Sequence, residues 1–256
     1  MSHEDCGQVT GTGQPCSAGW RGANDKETIT ELTKKIAFLE KKLFIVGSIT
    51  RHDVLNQMTV IIGYNELLGT MVEDPKIKGF LETEKVALGK IRRQFQFAKD
   101  YQNIAVDPPR WQNIRNLAHR VSLDFDVKKV RITADTGMAS VLADPLFDRV
   151  FHHLFDNALR HGKTVTEIKI SLQTTGSYGL LLMENNGASI PAADKEKIFE
   201  RGYGRGTGWG LFLAREILAA TGMTITETGE PRKGVRFEIT LPPGSFRMDG
   251  EDSPGT

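Results

Sequence analysis

The feature that most constrains this chain is a run of apolar residues recurring every three or four positions: Ile29, Leu32, Ile36, Leu39, Leu43 and Val46. Positions 3.5 apart stay on one side of a helix, so the run is the seam of a coiled coil. The same count then lands on Thr50, Asp53 and Gln57, and recovers at Val60, Tyr64, Leu67 and Met71. A seam built only for packing stays apolar. The polar interruption coincides with Arg51-His52-Asp53-Val54-Leu55-Asn56-Gln57, where an imidazole and a carboxylate are adjacent. The helix does something there besides pack.

Helical character is expected from Asp25 to about Val72. Asp74-Pro75 supplies an N-cap and a first-turn proline for a second helix. Its stripe is Ile77, Leu81, Leu88, Ile91, Phe95 and Ala98, with Glu84 as the one polar intruder. Asp107-Pro108-Pro109 closes it and marks a domain boundary. One helical hairpin cannot bury faces this wide, whereas two hairpins in a four-helix bundle can, so a homodimer is expected.

After Pro109 the pattern changes. Arg110 to Val121 reads as a short strand and a helix, and Val130 to Ala134 as a strand. Asp144-Pro145 opens a helix through His161. Glu167 to Gln173 alternates as a half-buried strand, and Tyr178 to Met183 is a more apolar one. A short helix is expected near Lys195 to Phe199, then a helix over Leu211 to Ala220. Strands at Thr224 to Thr228 and Val235 to Leu241 follow. The fold class is α+β: a helical hairpin followed by an α/β sandwich with a largely antiparallel sheet. The expected division is residues 1–25 disordered, 26–107 coiled coil and hairpin, 110–243 sandwich, and 244–256 a disordered tail.

A net charge of +1 argues against a nucleic-acid binder. No apolar run is long enough for a membrane span, and the polar, glycine-rich start carries no signal peptide, so a cytoplasmic location is expected. Cys6 and Cys16 read as free thiols rather than a zinc site.

Three constellations carry chemistry. On the helix ending at His161, Phe147, Phe151, Leu154 and Ala158 form a buried stripe, while His153, Asn157, Arg160 and His161 share the other face. That row is either a solvated face or a nucleotide site. In a nucleotide site Asn157 offers an oxygen to hydrated magnesium and Arg160 meets phosphate. Glu184 to Pro191 follows an apolar strand and contains Asn185, Asn186, Gly187 and Ser189; its plain alternative is an Asn-Gly turn. Gly202 to Gly210 has glycine at every second position before a helix, which suits an anion near the helix N-terminus, or else a flexible linker. The stretch fits neither Gly-x-x-x-x-Gly-Lys-Ser/Thr nor Gly-x-Gly-x-x-Gly, because Thr207 sits where a third glycine belongs.

Together, and in this order, these stretches resemble the sensor histidine kinases of two-component signalling. Arg51-His52-Asp53 with Asn56 resembles the phosphoacceptor box and His153 to His161 the N box. Asn185 to Ile190 resembles the first glycine box, Phe199 to Tyr203 the F box, and Gly208-Trp209-Gly210-Leu211-Phe212 the second glycine box. The wording from Arg51 to Gln57 and the short loop before Gly208 are most similar to kinases of methanogenic archaea. The resemblance implies a Bergerat-type ATP-binding domain and a dimeric phosphotransfer hairpin. ATP would phosphorylate His52, with Asp53 and Asn56 assisting, and the group would pass to an aspartate of a response-regulator receiver domain. It also implies ATP contacts at His153, Asn157, Arg160, His161, Asn185, Gly187, Ser189, Phe199, Gly208, Gly210 and Leu211, with Mg2+ on Asn157. An upstream sensor protein is a further expected partner.

Three positions depart from the family pattern. His153 replaces the usual asparagine, Asn185 the usual aspartate, and Ser189 a glycine. Hence a second expectation from another class: a dimeric scaffold or phosphatase, weak or dead as a kinase, that docks a response regulator.

Overall fold

The computed structural model describes residues 19–127, 129–162, 164–204 and 208–248. Cys6, Cys16, Thr207 and the last eight residues of the expected tail lie outside the described residues. The chain divides into two units, Met1–Thr50 and Arg51–Thr256.

The heptad run forms one helix, α1, Gly19–Met71. It starts ahead of the expected Asp25, so the segment taken as disordered through residue 25 is helical from Gly19. In the first unit Ile29, Leu32, Ile36, Leu39, Leu43 and Val46 are all exposed. α2, Pro75–Asn103, opens as its sequence dictates: the Asp74 carboxylate accepts from the Lys76 N–H at 2.8 Å, with proline in the first turn. Between the helices Met58 and Leu88 are buried. Glu84 has a reason to be there, because buried Asn65 donates to its Oε2 and to the Leu81 carbonyl, each at 3.1 Å. Val60, Tyr64, Leu67 and Met71 remain exposed in the single chain.

The sandwich follows in the order β1 (Arg110–Asn113), α3 (Ile114–Ser122), β2 (Arg131–Asp135), β3 (Ala139–Ala143), α4 (Phe147–His161), β4 (Glu167–Thr175) and β5 (Tyr178–Asn185). Two short 3-10 turns, Ala192–Asp194 and Lys197–Phe199, replace the single helix expected near Lys195. Then come α5 (Gly210–Ala219), β6 (Thr224–Glu227), β7 (Val235–Leu241) and β8 (Phe246–Met248). Five strands pair in the order β2-β4-β5-β7-β6, antiparallel except for β2 with β4. The alternation in β4 and β7 buries Ile168 and Ile170, and Val235, Phe237, Ile239 and Leu241. These join the buried faces of α3, α4 and α5 in one core, where the α4 stripe of Phe147, Phe151, Leu154 and Ala158 is wholly enclosed.

A second sheet, β1-β3-β8, departs from expectation twice. β3 is Ala-Ser-Val-Leu-Ala, too small and too evenly buried to show a strand period, yet Ser140 to Ala143 pair with β1. β8 lies inside the segment taken as a disordered tail. The Ser245 N–H and hydroxyl both donate to the Pro242 carbonyl, at 3.1 and 2.7 Å, which reverses the chain. Val141 and Ala139 then pair with Phe246 and Met248. Arg247 lies 4.3 Å above the Trp111 ring.

Residues 107–110, the expected boundary, lie within the second unit. The last turns of α2 are fastened to the sandwich, which keeps them in one unit. Phe97 meets Trp209 at 4.6 Å between ring centroids, and Tyr101 stacks on Phe212 at 6.1 Å. Buried Asp100 accepts from Gln96 at 2.8 Å and faces Arg149 at 3.6 Å. Burial raises the Asp100 pKa, although Arg149 and Gln96 pull the other way. Asp144, expected to cap α4 directly, instead spends its two oxygens on the Leu146 and Ala105 N–H groups, each at 2.8 Å. It thus joins the exit of the hairpin to the start of α4, which begins at Phe147. Asp144→Ala orphans both N–H groups, and the chain should lose about 2 kcal/mol. The urea midpoint should fall, and the Ala105 and Leu146 amides should exchange faster; an unchanged midpoint would contradict this joint.

Candidate functional site

His52 projects from α1 with 74% of its side chain exposed. Adjacent residues on a helix point about a quarter-turn apart, yet Asp53 reaches across so that its Oδ1 lies 3.2 Å from His52 Nδ1. Asn56, one turn on, brings its amide nitrogen within 3.3 Å of Nδ1 and 3.4 Å of Nε2. A carboxylate against Nδ1 favours the tautomer with the proton there, which leaves Nε2, beside the Asn56 amide, as the nitrogen with the lone pair. Arg51 is tied to α2 by a 2.6 Å bond to Gln102 Oε1. The polar break in the seam is therefore a composed group of three side chains.

The second part of the site is on the sandwich. Because α4 buries its phenylalanine stripe, His153 and Asn157 are turned outward and half-buried, while Arg160 and His161 are exposed. His153 Nε2 is enclosed without a hydrogen-bond partner. Burial, with His152 and Arg149 adding to it, pushes the His153 pKa down to about 4, so the ring is neutral. Gly210, the first residue of α5, passes so close that a Cβ there would lie 3.0 Å from His153 Nδ1. Arg160, expected to be free for phosphate, is engaged by its own helix: its Nε lies 2.6 Å from Asp156 Oδ1. One turn separates the two, and the i,i+4 attraction is available without any ligand.

The Asn185 loop is seated on the end of α4. A side chain at Gly187 would strike the Gly162 carbonyl oxygen at 2.6 Å, and the Ala188 N–H donates to that same carbonyl at 3.1 Å. Asn185 is buried at the end of β5, and its Oδ1 accepts from the Gly187 N–H at 3.0 Å. The oxygen thus already holds one hydrogen bond, and the amide N–H₂ faces a ligand as a donor that an aspartate would lack. Ser189, standing where the family pattern has glycine, adopts no positive φ. Only Ala105 and Arg232 have positive φ among the described non-glycine residues, and Ser189 Oγ bonds the hairpin between β6 and β7 instead.

At the glycine-rich stretch, the Gly202 N–H donates to the Gly208 carbonyl at 3.0 Å, closing the base of the loop. Gly208 has φ +65°, and a Cβ there would fall 2.4 Å from Gly202 C. Leu211 is half-buried on α5. Phe199 is not a surface contact. It is buried edge-on against Phe237, so it anchors the loop that precedes Gly202. The structure brings His153 and Gly210 together, and Gly187 with the end of α4. Sequence reasoning passed over Arg149, Asp100, Trp209, Lys195 and Glu227. Glu227 was detectable: it falls on the same strand face as Ile225, so the alternation of β6 puts a carboxylate inside.

Residues 143–245 match the family model described as histidine kinase-, DNA gyrase B-, and HSP90-like ATPase. The alginate biosynthesis sensor protein KinB of Pseudomonas aeruginosa is 36% identical over 100 residues, which is 37% of this chain and 17% of that protein. The sensor protein SrrB of Staphylococcus aureus is 23% identical over 240 residues, 84% of this chain and 40% of that one. This chain thus spans less than half the length of either relative. Among solved structures, full-length ShkA in complex with AMPPNP aligns with TM-score 0.60 at 15% identity, covering 78% of this chain and 46% of that one. The histidine kinase ThkA in complex with the response regulator protein TrrA aligns with TM-score 0.55 at 21% identity, covering 88% and 65%. Residues 143–245 are thus similar to this ATPase family, and the chain shares its fold, a helical region followed by an α/β sandwich, with these solved structures.

The His153 shift has a consequence for folding. Its folded pKa lies below the unfolded value of 6.5, so the unfolded chain takes up the proton first as pH falls. Stability should therefore be lost progressively from pH 6.5 down to about 4. Thermal unfolding across that window should show a shallower loss for His153→Asn than for the parent; equal slopes would place the titration elsewhere.

Proposed function

We propose that this protein is a two-component sensor histidine kinase that phosphorylates itself on His52 from ATP and passes the group to an aspartate of a response regulator. The observation that carries the reading is the exposed His52 ring with Asp53 on Nδ1 and the Asn56 amide beside it, in a chain whose sandwich matches a histidine kinase-like ATPase. Nε2 attacks the γ-phosphorus, a P–N bond forms, and the β,γ-bridging P–O bond breaks to release ADP. The Asp53 carboxylate stabilises the positive charge that develops on the ring. The phosphoryl group then moves from nitrogen to a carboxylate oxygen of the regulator, returning a neutral His52.

Asn157, His153 and Gly208 to Leu211 meet the phosphates in this reading, and Asn185 to Ser189 meet the base. Magnesium keeps several waters and takes oxygen ligands, so the Asn157 side-chain oxygen together with phosphate oxygens suits it. Among the described residues no cluster of three or more His, Cys, Asp or Glu side chains could hold a metal instead. The exposed seam of α1 and the open hairpin face support a homodimer. The likeness to ThkA with TrrA supports a receiver domain as partner. No helix among the described residues is long and apolar enough to cross a membrane, and a cytoplasmic location belongs to the same proposal. The wording from Arg51 to Gln57 supports an archaeal affiliation.

Incubation with labelled ATP and magnesium should give an acid-labile, base-stable label that His52→Gln removes. Label persisting in that variant would sink the assignment.

The second reading, a scaffold or phosphatase with weak nucleotide binding, is favoured by Asn185. An aspartate there could accept from Gly187 with one oxygen and from an adenine amino group with the other. Asn185 has one oxygen, which already accepts from Gly187, and presents an N–H₂ where the aspartate would present its second oxygen. The mismatch costs about 1–3 kcal/mol. Asn185→Asp should therefore tighten ATP binding at least several-fold and raise His52 labelling in parallel. Unchanged or weaker binding, with GTP competing well, would mean that the pocket is built for a base presenting an acceptor.

A further inference from the structure

A buried ion pair lies beside the base loop and has no part in the chemistry above. The Glu227 side chain is fully enclosed at the end of β6. Its Oε1 accepts from the Gly229 N–H at 2.9 Å and the Arg236 N–H at 3.2 Å, and its Oε2 meets Lys195 Nζ at 2.9 Å. Lys195, between the two 3-10 turns, also donates to the Gly229 carbonyl. Six residues earlier, Ser189 Oγ accepts from the Gly234 N–H and donates to the Glu230 carbonyl, each at 3.4 Å. The stretch from Ser189 to Lys195 is thus stitched at both ends to the β6–β7 hairpin. That hairpin bears directly on the base loop: Gly234, with φ +99°, lies where a Cβ would be 1.8 Å from the Asn185 carbonyl oxygen.

We propose that Lys195 and Glu227 form a positioning clamp that holds Asn185 to Ser189 in place for the base of a bound nucleotide, an inference that rests on the nucleotide reading above. A buried ion pair is a poor source of stability, since an apolar pair of similar volume does as well. What the carboxylate adds is direction. It satisfies two hairpin N–H groups and a lysine at once, and an apolar replacement would leave those N–H groups and the Gly229 carbonyl unpaired. The hairpin would relax, and Asn185, in backbone contact with Gly234, would move with it.

The test uses the full chain, with ATP and inorganic tripolyphosphate as calorimetric probes and amide exchange at Gly187 and Gly234 as an independent readout. Tripolyphosphate makes the phosphate contacts without a base. Lys195→Met should weaken ATP about ten-fold while leaving tripolyphosphate unchanged, and should speed exchange at both glycines. Lys195→Arg should restore most of the affinity. ATP binding as tight as in the parent, or equal weakening of both probes, would overturn the clamp. A parent that binds neither probe would overturn the nucleotide reading instead. The clamp is then decided by exchange alone: faster at Gly234 in Lys195→Met supports it, and unaltered exchange refutes it. Should Lys195→Met fail to fold, Glu227→Gln, which keeps the volume but not the charge, replaces it with the same expected pattern.

Discussion

The burial of one face of α4 is the constraint on which the rest of the structure depends. Phe147, Phe151, Leu154 and Phe155 are removed from water against the five-stranded sheet, and each such side chain contributes about 1.5–3 kcal/mol on burial. That locks the rotation of the helix. His153 and Asn157 then have no freedom over where they face, and Gly162 at the helix end becomes the seat for the Asn185 loop. The site is aimed by hydrophobic packing before any polar contact is counted.

The polar contacts refine that aim, and several cost the site a free group. Asn185 gives its oxygen to Gly187, and Arg160 is taken by Asp156. His153 stays neutral because its ring is buried beside Arg149 and His152. The candidate site therefore offers an amide where the family pattern has a carboxylate and a neutral imidazole where it has an asparagine, while Arg160 keeps its charge beside Asp156. This gives the chemistry a different electrostatic character from the one its motifs imply.

The end of α2 matters because it meets the sandwich at the root of α5. Phe97 against Trp209, Asp100 facing Arg149, and Ala105 on Asp144 join a helical hairpin to an α/β sandwich through contacts separated widely in sequence. Arg149 lies one turn before His153 on the same helix, and Trp209 directly precedes Gly210. The hairpin that bears His52 is thus in contact with the same two helix starts that frame the phosphate side of the proposed nucleotide site.

What the sequence determined by itself is what short-range physics controls. Heptad spacing, the Asp74-Pro75 cap, the alternation of β4 and β7, and the α4 stripe each encode a local period, and each element stands where that period puts it. The grouping of His52, Asp53 and Asn56 was legible for the same reason, since those residues lie about one helical turn apart. Tertiary structure decided what no local pattern carries. β3 and β8 are strands only because each finds a partner far along the chain. Asp144 caps a joint rather than a helix because Ala105 comes within reach. Phe199 became an anchor because Phe237 lies opposite. The state of Arg160, the orientation of the Asn185 amide and the pairing of Lys195 with Glu227 depend on which groups the fold brings within 3 Å or so, and sequence spacing does not set those distances.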